Sequence, residues 1–245
     1  MTTSIPLSFG YLLAYGEWEL LTVFAKFLGP AEVATWGLLG TVWDVLEATT
    51  EAISEAGEVR CAYLLGAGRF DDARVSAFKS MFLAFFASVL LSSIVLMCGE
   101  SLAVWMTDDQ TLQGLMSDLI PLFAMGNVAL TTGTTAWTLV GAQGRYSLST
   151  AVGFAGSWFV TVPLSALSSV ALAFDLRGQT AAVVAGYMVS GFWNLFFLLR
   201  SDWQAISEKV IAYNAANDIE LDSDQVSSSE EEDESSRHQP QNIKK

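Results

Sequence analysis

An all-helical (all-α) bundle that crosses a membrane about six times and ends in a disordered acidic tail is the fold this sequence predicts, and three observations predict it. The chain is 52% hydrophobic with a mean hydropathy of +0.40 over 245 residues, too apolar for a soluble domain of that size. Six largely apolar windows, at 9–28, 33–58, 78–98, 119–142, 147–173 and 180–199, each reach the roughly 20 residues that a helix needs to span a bilayer. The basic residues segregate. Arg60, Arg69, Arg74 and Lys79 follow the second window, Arg145 follows the fourth, and Arg200 and Lys209 follow the sixth, whereas the opposite loops hold little beyond Arg177 and the interfacial Lys26. The positive-inside rule then places the loops after even-numbered spans, and both termini, in the cytoplasm of a multi-pass integral membrane protein. Residues 1–8 lack the basic start of a secretory signal, so the first window is expected to remain as a span.

Composition also removes whole classes of chemistry. The only histidine, His238, lies in the polar tail, and Cys61 and Cys98 fall at opposite faces of the predicted topology. The membrane body therefore has no imidazole for base or zinc chemistry and no disulfide. No enzyme activity, no cofactor and no nucleic-acid partner are expected. The formal net charge of −14 is partly a tail property, since nine of the 26 acids lie between Asp218 and Glu234.

Taken in order, span one holds Glu17 and Glu19 near mid-helix beside Trp18. Intramembrane acids usually face a polar cavity, and pairing of Glu19 with Lys26 on the same helix face is the plainer alternative. Gly29-Pro30 ends that helix, so spans one and two pair antiparallel across a very short turn. Span two carries the clearest functional signal. Asp44, Glu47, Glu51, Glu55 and Glu58 are spaced 3, 4, 4 and 3 apart and project from one helix face over about 21 Å. Facing lipid, five such acids would cost roughly 12 to 17 kcal/mol even on the lenient insertion scale. Either the row lines a water-filled cavity or the helix lies at the surface with its acids in water. Carboxylates one turn apart repel, which favours shared protons and hence proton coupling.

Span three is apolar around its circumference and is expected to meet lipid or plain core. Trp105 anchors its outer end. In the outer loop, Glu100, Asp108, Asp109 and Asp118 either draw cations to an entrance or simply keep the loop soluble. Span four has Asn127 and a Thr131-Thr132-Gly133-Thr134-Thr135 run suited to close helix packing or to lining a cavity. Span five has Gly153, Gly156, Trp158 and a kinking Pro163. Span six, with Gly186, Gly191, Trp193 and Asn194, reads as a packing helix. Residues 201–217 suit a short interfacial helix anchored by Trp203 and Ile206. From 218 to 245 the chain is polar and low in complexity, without the apolar surface to offset folding entropy. Ser227, Ser228 and Ser229 each precede a Glu by three residues, a pattern acidophilic kinases favour, and are expected phosphorylation sites.

Glu19, then Phe27-Leu28-Gly29, then Val59-Arg60-Cys61-Ala62-Tyr63-Leu64-Leu65-Gly66-Ala67-Gly68 and Ala73-Arg74 resemble the start of the second half of multidrug and toxic compound extrusion (MATE) transporters. That stretch reads approximately E-W-W-x-x-E, L-G, V-R-V-G-N-x-L-G-A-G and A-R in the family. Pro121, the turn from Leu139 to Gly144, Trp158-Phe159 with Pro163, and Asp202-Trp203 continue the resemblance, which covers about residues 9–210. It implies residues 1–8 as a short leading segment, 9–210 as a C-terminal six-helix lobe, and 218–245 as a tail. It also implies export of organic cations or xenobiotics in exchange for H+ or Na+. Three family glutamates are missing, falling on Ala14, Thr41 and Leu130, while another matches Glu19. Asp44 stands one turn beyond Thr41.

Joined to the acidic row, the resemblance nominates Glu19, Asp44, Glu47 and Glu51 as substrate- or ion-binding residues, with Glu55 and Glu58 nearer the cytoplasmic mouth. The expected partners are the lipid bilayer, a small organic cation, and a second six-helix lobe supplied by another copy or another chain, because such pathways form between two lobes. Two alternatives stay open. The chain is a degenerate half-transporter acting as a non-transporting membrane adaptor, or it is a piece of a longer two-lobe exporter.

Overall fold

A computed structural model describes residues 4–171 and 175–216. Among them there is no strand. The acidic tail with Ser227, Ser228 and Ser229 lies outside the described residues. The helices are α1 (Ser4–Leu28), α2 (Pro30–Gly66), α3 (Phe70–Met106), α4 (Gln110–Ala142), α5 (Tyr146–Gly156), α6 (Val162–Ala166) and α7 (Leu176–Leu199), followed by a helical stretch over 203–216. Helices α5 and α6 belong to one rod, interrupted by π-helical turns at Ser157–Thr161 and Leu167–Ala171. Pro163 stands in the first turn of α6 and supplies the break expected there.

Six rods result, matching the six windows, but several run well past them. Helices α2 and α3 have 37 residues each, about 55 Å at 1.5 Å per residue, so their ends project beyond a hydrocarbon core of roughly 30 Å. Four rods, α3, α4, Tyr146–Ser169 and α7, are long and apolar enough to cross a membrane. In α1 and α2, Glu17, Glu19 and the α2 acids interrupt the apolar run. Turns are tight: Gly68 and Gly144 adopt φ of 75° and 73°, a region glycine enters without steric cost.

Helix α4 is the hub, packed against α2, α3 and α7. Its polar residues make it so. Thr131 and Thr135 pair with Thr50 and Ser54 of α2 at 3.3 and 2.8 Å. Asn127 donates to Ser92 of α3 at 3.1 Å, and Ser92 donates to the Ala124 carbonyl at 3.0 Å. Toward α7, a Cβ on Gly133 would lie 3.1 Å from the Gly191 Cα, so two glycines let the backbones meet, as small residues do between membrane helices. The Thr and Gly run of span four thus packs helices.

Two buried clusters fill the bundle. One holds Trp36, Trp43, Leu119 and Phe123, and the other holds Cys61, Leu65, Leu139 and Leu198. Trp203 joins the second cluster and Ile206 packs on it. Ser207 donates to the Leu65 carbonyl at 2.7 Å, which ties the 203–216 helix to the end of α2. Cys61 is buried and Cys98 exposed, both free. Two acids of the α3 to α4 region have structural partners: Asp109 caps α4 by accepting from the Thr111 amide at 2.7 Å, and Asp118 pairs with Arg177 at 2.6 Å.

Candidate functional site

Helix α2 buries one face, the line of Trp36, Trp43, Leu46, Thr50, Ser54, Gly57 and Cys61. The acidic row lies about a quarter-turn away from that line, on its flank. Asp44, Glu51 and Glu55 are exposed, and Glu47 and Glu58 are half-buried. Among the described residues the row therefore sits on the surface, beside the packed interior. Its inner edge touches other helices: the Tyr146 hydroxyl at the start of α5 donates to Glu58 Oε1.

Glu19, the acid that matches the family pattern, is exposed, whereas Glu17 is 6% exposed. Glu17 points at the π-helical turn, where the Ser157 and Thr161 hydroxyls hydrogen-bond its carboxyl. Its Oε1 is out of solvent and has no hydrogen-bond partner. The turn can approach because glycines face α7: a Cβ on Gly156 would stand 2.8 Å from that of Ser190, and Gly186 lies directly against the Thr161 hydroxyl. Sequence reasoning passed over Glu17 in favour of Glu19, although Glu17 is three residues, and so one turn on the same face, from Ala14, where the family has a glutamate.

Between Glu17 and Glu47 stands an aromatic group. Trp18 stacks on Trp36 with ring centroids 4.9 Å apart and meets Trp43 edge-on at 6.4 Å. Trp43 in turn contacts Phe123 of α4 at 4.8 Å and Tyr187 of α7 at 5.7 Å. Tyr187 is within electrostatic reach of both Glu17 and Glu47, and Glu47 feels Glu51 and Asp44 along its own helix. From its sequence span six is a packing helix, and nothing in its apolar run marks Tyr187 out. The structure thus half-buries Glu47 and keeps Asp44, Glu51 and Glu19 on the exposed surface. A cavity of about 540 Å³ opens between α3, α4 and α7, lined by Ser92, Pro121, Val128, Tyr187, Met188 and Phe192 among others, none of them charged.

The fold is shared with solved transporters. It superposes on the eukaryotic MATE transporter AtDTX14 with a TM-score of 0.77 at 16% identity, covering 86% of this chain and 48% of that one. A multidrug resistance MATE family transporter of the MOP superfamily, in an outward-facing conformation, gives 0.75 at 18% identity, covering 80% of this chain and 44% of that one. By sequence, an uncharacterized transporter of Schizosaccharomyces pombe is 24% identical over 194 residues, 79% of this chain and 36% of its own length. Multidrug and toxin extrusion protein 1 of Homo sapiens is 19% identical over 201 residues, 82% of this chain and 35% of its own length. The chain thus spans about a third of the length of these curated relatives and under half of the solved structures. The MatE family pattern matches residues 6–167, more than half of the sequence, and the chain belongs to that family of integral membrane proteins.

Proposed function

We propose that this chain is one lobe of a cation-coupled exporter of organic cations. The observation that carries the reading is the carboxylate flank of α2, with Asp44, Glu51 and Glu55 exposed on the lobe surface. Five acids on a lipid-facing surface would cost roughly 12 to 17 kcal/mol, so the flank belongs on an aqueous cleft. A cleft needs a second wall. In the proposal that wall is another six-helix lobe, from a second copy or another chain, and both termini of this lobe lie in the cytoplasm. Asp44, Glu47 and Glu51 hold the cationic substrate or the coupling ion, H+ or Na+. Glu19 serves the exposed face of α1, and Glu17 holds a proton away from water. Neutralising carboxylates by protonation weakens their hold on an organic cation, which is how uptake of a proton would release substrate.

The test is flux of a fluorescent organic cation into vesicles containing the chain, driven first by a pH gradient and then by a Na+ gradient. Flux driven by either gradient and lost in Glu47→Gln supports the reading, and the effective gradient names the coupling ion. A second reading is favoured by Ala14, Thr41 and Leu130, where family glutamates are replaced: a non-transporting membrane adaptor that works through its acidic tail. Deleting residues 218–245 separates the two, since a carrier keeps its flux and an adaptor loses its partner.

A further inference from the structure

We propose that the cavity between α3, α4 and α7 holds an acyl chain of an anionic phospholipid, whose charged headgroup lies at the Lys79 and Arg200 end of the bundle. Among the described residues its lining comes from α3, α4 and α7 alone, with none of the acidic row and none of α1. Helices α3 and α7 each pack on α4 rather than on each other, so the cavity is a slot floored by α4. Leu96, Met125, Met188 and Phe192 are exposed along its rim, and the slot opens to the side of the lobe.

Three of the hydroxyls that line it are already spent. Ser92 donates to the Ala124 carbonyl at 3.0 Å, Ser93 to the Val89 carbonyl at 2.7 Å and Thr132 to the Val128 carbonyl at 2.7 Å. With no charged residue in the lining either, the slot suits an apolar occupant. Its width narrows the choice. About 540 Å³, spread over the roughly 12 to 16 Å that its residues take up along α7 and α4, leaves a passage only about 6 Å across. A helix with its side chains is about 10 to 12 Å wide, so a neighbouring helix cannot lie in it, whereas a hydrocarbon chain can.

Charge fixes the headgroup and the direction. Between Lys79 and Glu100 α3 has no charged residue, and between Arg177 and Arg200 neither has α7. Along α3, Lys79 stands about 15 Å from the lining residue Val89, and Arg200 stands about 7 Å beyond Leu195 of α7. The exposed Phe82, Phe86 and Leu199 give those intervals apolar surface. Lys79 and Arg200 are exposed, and among the described residues neither is in an ion pair. The Arg200 guanidinium lies 5.0 Å over the Phe196 ring, which keeps it beside the apolar surface. Asp202, the acid nearest to it in sequence, is occupied in accepting from the Ala205 amide at 3.1 Å. The other end of the slot offers an anion nothing comparable. Glu100 is exposed there, and Arg177 is paired with Asp118. The chain of the lipid therefore runs from the Lys79 and Arg200 end toward Pro121.

This site is separate from the carboxylate flank, and its test needs no flux. The whole chain in detergent is titrated with phosphatidylglycerol and with phosphatidylcholine of the same acyl chains, and native mass spectrometry counts the lipids bound. One phosphatidylglycerol should be held at least about tenfold more tightly than phosphatidylcholine, and the Lys79→Gln/Arg200→Gln double variant should bring the two lipids level. Ser93→Phe, which puts a ring at an exposed lining position, should weaken both lipids by about tenfold. Equal binding of the two lipids by the native chain, or an undiminished preference in the double variant, overturns the site. Native binding in Ser93→Phe overturns it as well, because headgroup attraction alone would then account for the lipid. Pairs of chains without lipid, dispersed by Ser93→Phe, overturn it in favour of a second copy. Should Ser93→Phe fail to fold, the double variant, which changes only exposed side chains, decides alone: a lost preference supports the site and a retained one overturns it.

Discussion

Helices α2 and α3 have the same length, 37 residues, lie side by side and both present much of their surface outward, yet they answer to different surroundings. Between Lys79 and Glu100, α3 carries no charged residue, and its outward positions are Phe82, Leu83, Phe86, Leu90, Ile94 and Met97. Over the matching depth α2 exposes Asp44, Glu51 and Glu55. One helix is dressed for lipid and the other cannot face it. The difference teaches that "exposed" in a lone lobe is two states, and that charge separates them: the outward face of α3 suits the bilayer, and that of α2 does not.

The sharpest way to break that comparison is to put a charge on the lipid side. Leu90 is 63% exposed on α3, and Leu90→Arg should cost about 2.5 to 3.5 kcal/mol of insertion free energy. Read as the fraction of chains that span in a membrane-insertion assay, this is a large drop. Leu90→Arg inserting like the native chain would mean that α3 lines water too. By contrast, Asp44→Leu should insert at least as well as the native chain.

Next comes the contact that lets α4 and α7 approach. Gly133→Val would place a side chain where a Cβ already stands 3.1 Å from the Gly191 Cα. Backbone cannot yield as a side-chain end can, so a loss of about 2 kcal/mol is expected, within the usual range for overpacking. Thermal unfolding in detergent measures it. An unchanged melting temperature would mean the two helices are further apart than the structure places them.

The site predictions are smaller in energy and larger in meaning. Glu17→Gln should lower proton-driven flux by about tenfold, equivalent to about 1.4 kcal/mol, while Glu55→Gln, exposed on the outer part of the row, should change it less. Equal effects of the two would show that burial confers no special role on Glu17. Cysteine labelling sharpens the same contrast between surfaces. A polar maleimide should modify Cys98 and leave Cys61, which has no exposed area.

How much of this was legible in the sequence follows from what each signal encodes. Six rods came through because hydrophobic length is a local property, and the Gly29-Pro30 break and the Pro163 interruption are local as well. The acidic row was legible because a 3.6-residue period reports a face. What that face looks at is not local. Periodicity placed Asp44 and Glu47 together, while the structure separates them, because Glu47 turns toward the buried line of Trp43 and Thr50 and Asp44 turns away. Glu17 was outranked by Glu19 because burial depends on where α7 and the π-helical turn stand, which glycines 156 and 186 decide from far along the chain. Tyr187 gave no signal, since a tyrosine in an apolar helix declares its partners only once the helices are packed.

The smallest effect tests the seam between the two unlike surfaces. Ser54 and Thr135 hydroxyls meet at 2.8 Å, and Thr50 and Thr131 meet at 3.3 Å one turn away, all four buried. Hydroxyl pairs between membrane helices are worth about 0.6 kcal/mol on average, because the unpacked helices also find partners: each hydroxyl can return to a carbonyl of its own helix. That alternative is visible here, since Ser54 also reaches the Thr50 carbonyl at 3.3 Å and Thr135 the Thr131 carbonyl at 2.7 Å. A double-mutant cycle of Ser54→Ala and Thr135→Val should therefore give a coupling near 0.6 kcal/mol in thermal or denaturant unfolding, with each single change mild. A coupling of about 2 kcal/mol would mean the seam holds α2 in place by hydrogen bonding. A value near the predicted one leaves α2 held mainly by its tryptophans, and then the helix bearing the carboxylates can shift against α4 at little cost, which a cleft that opens and closes requires.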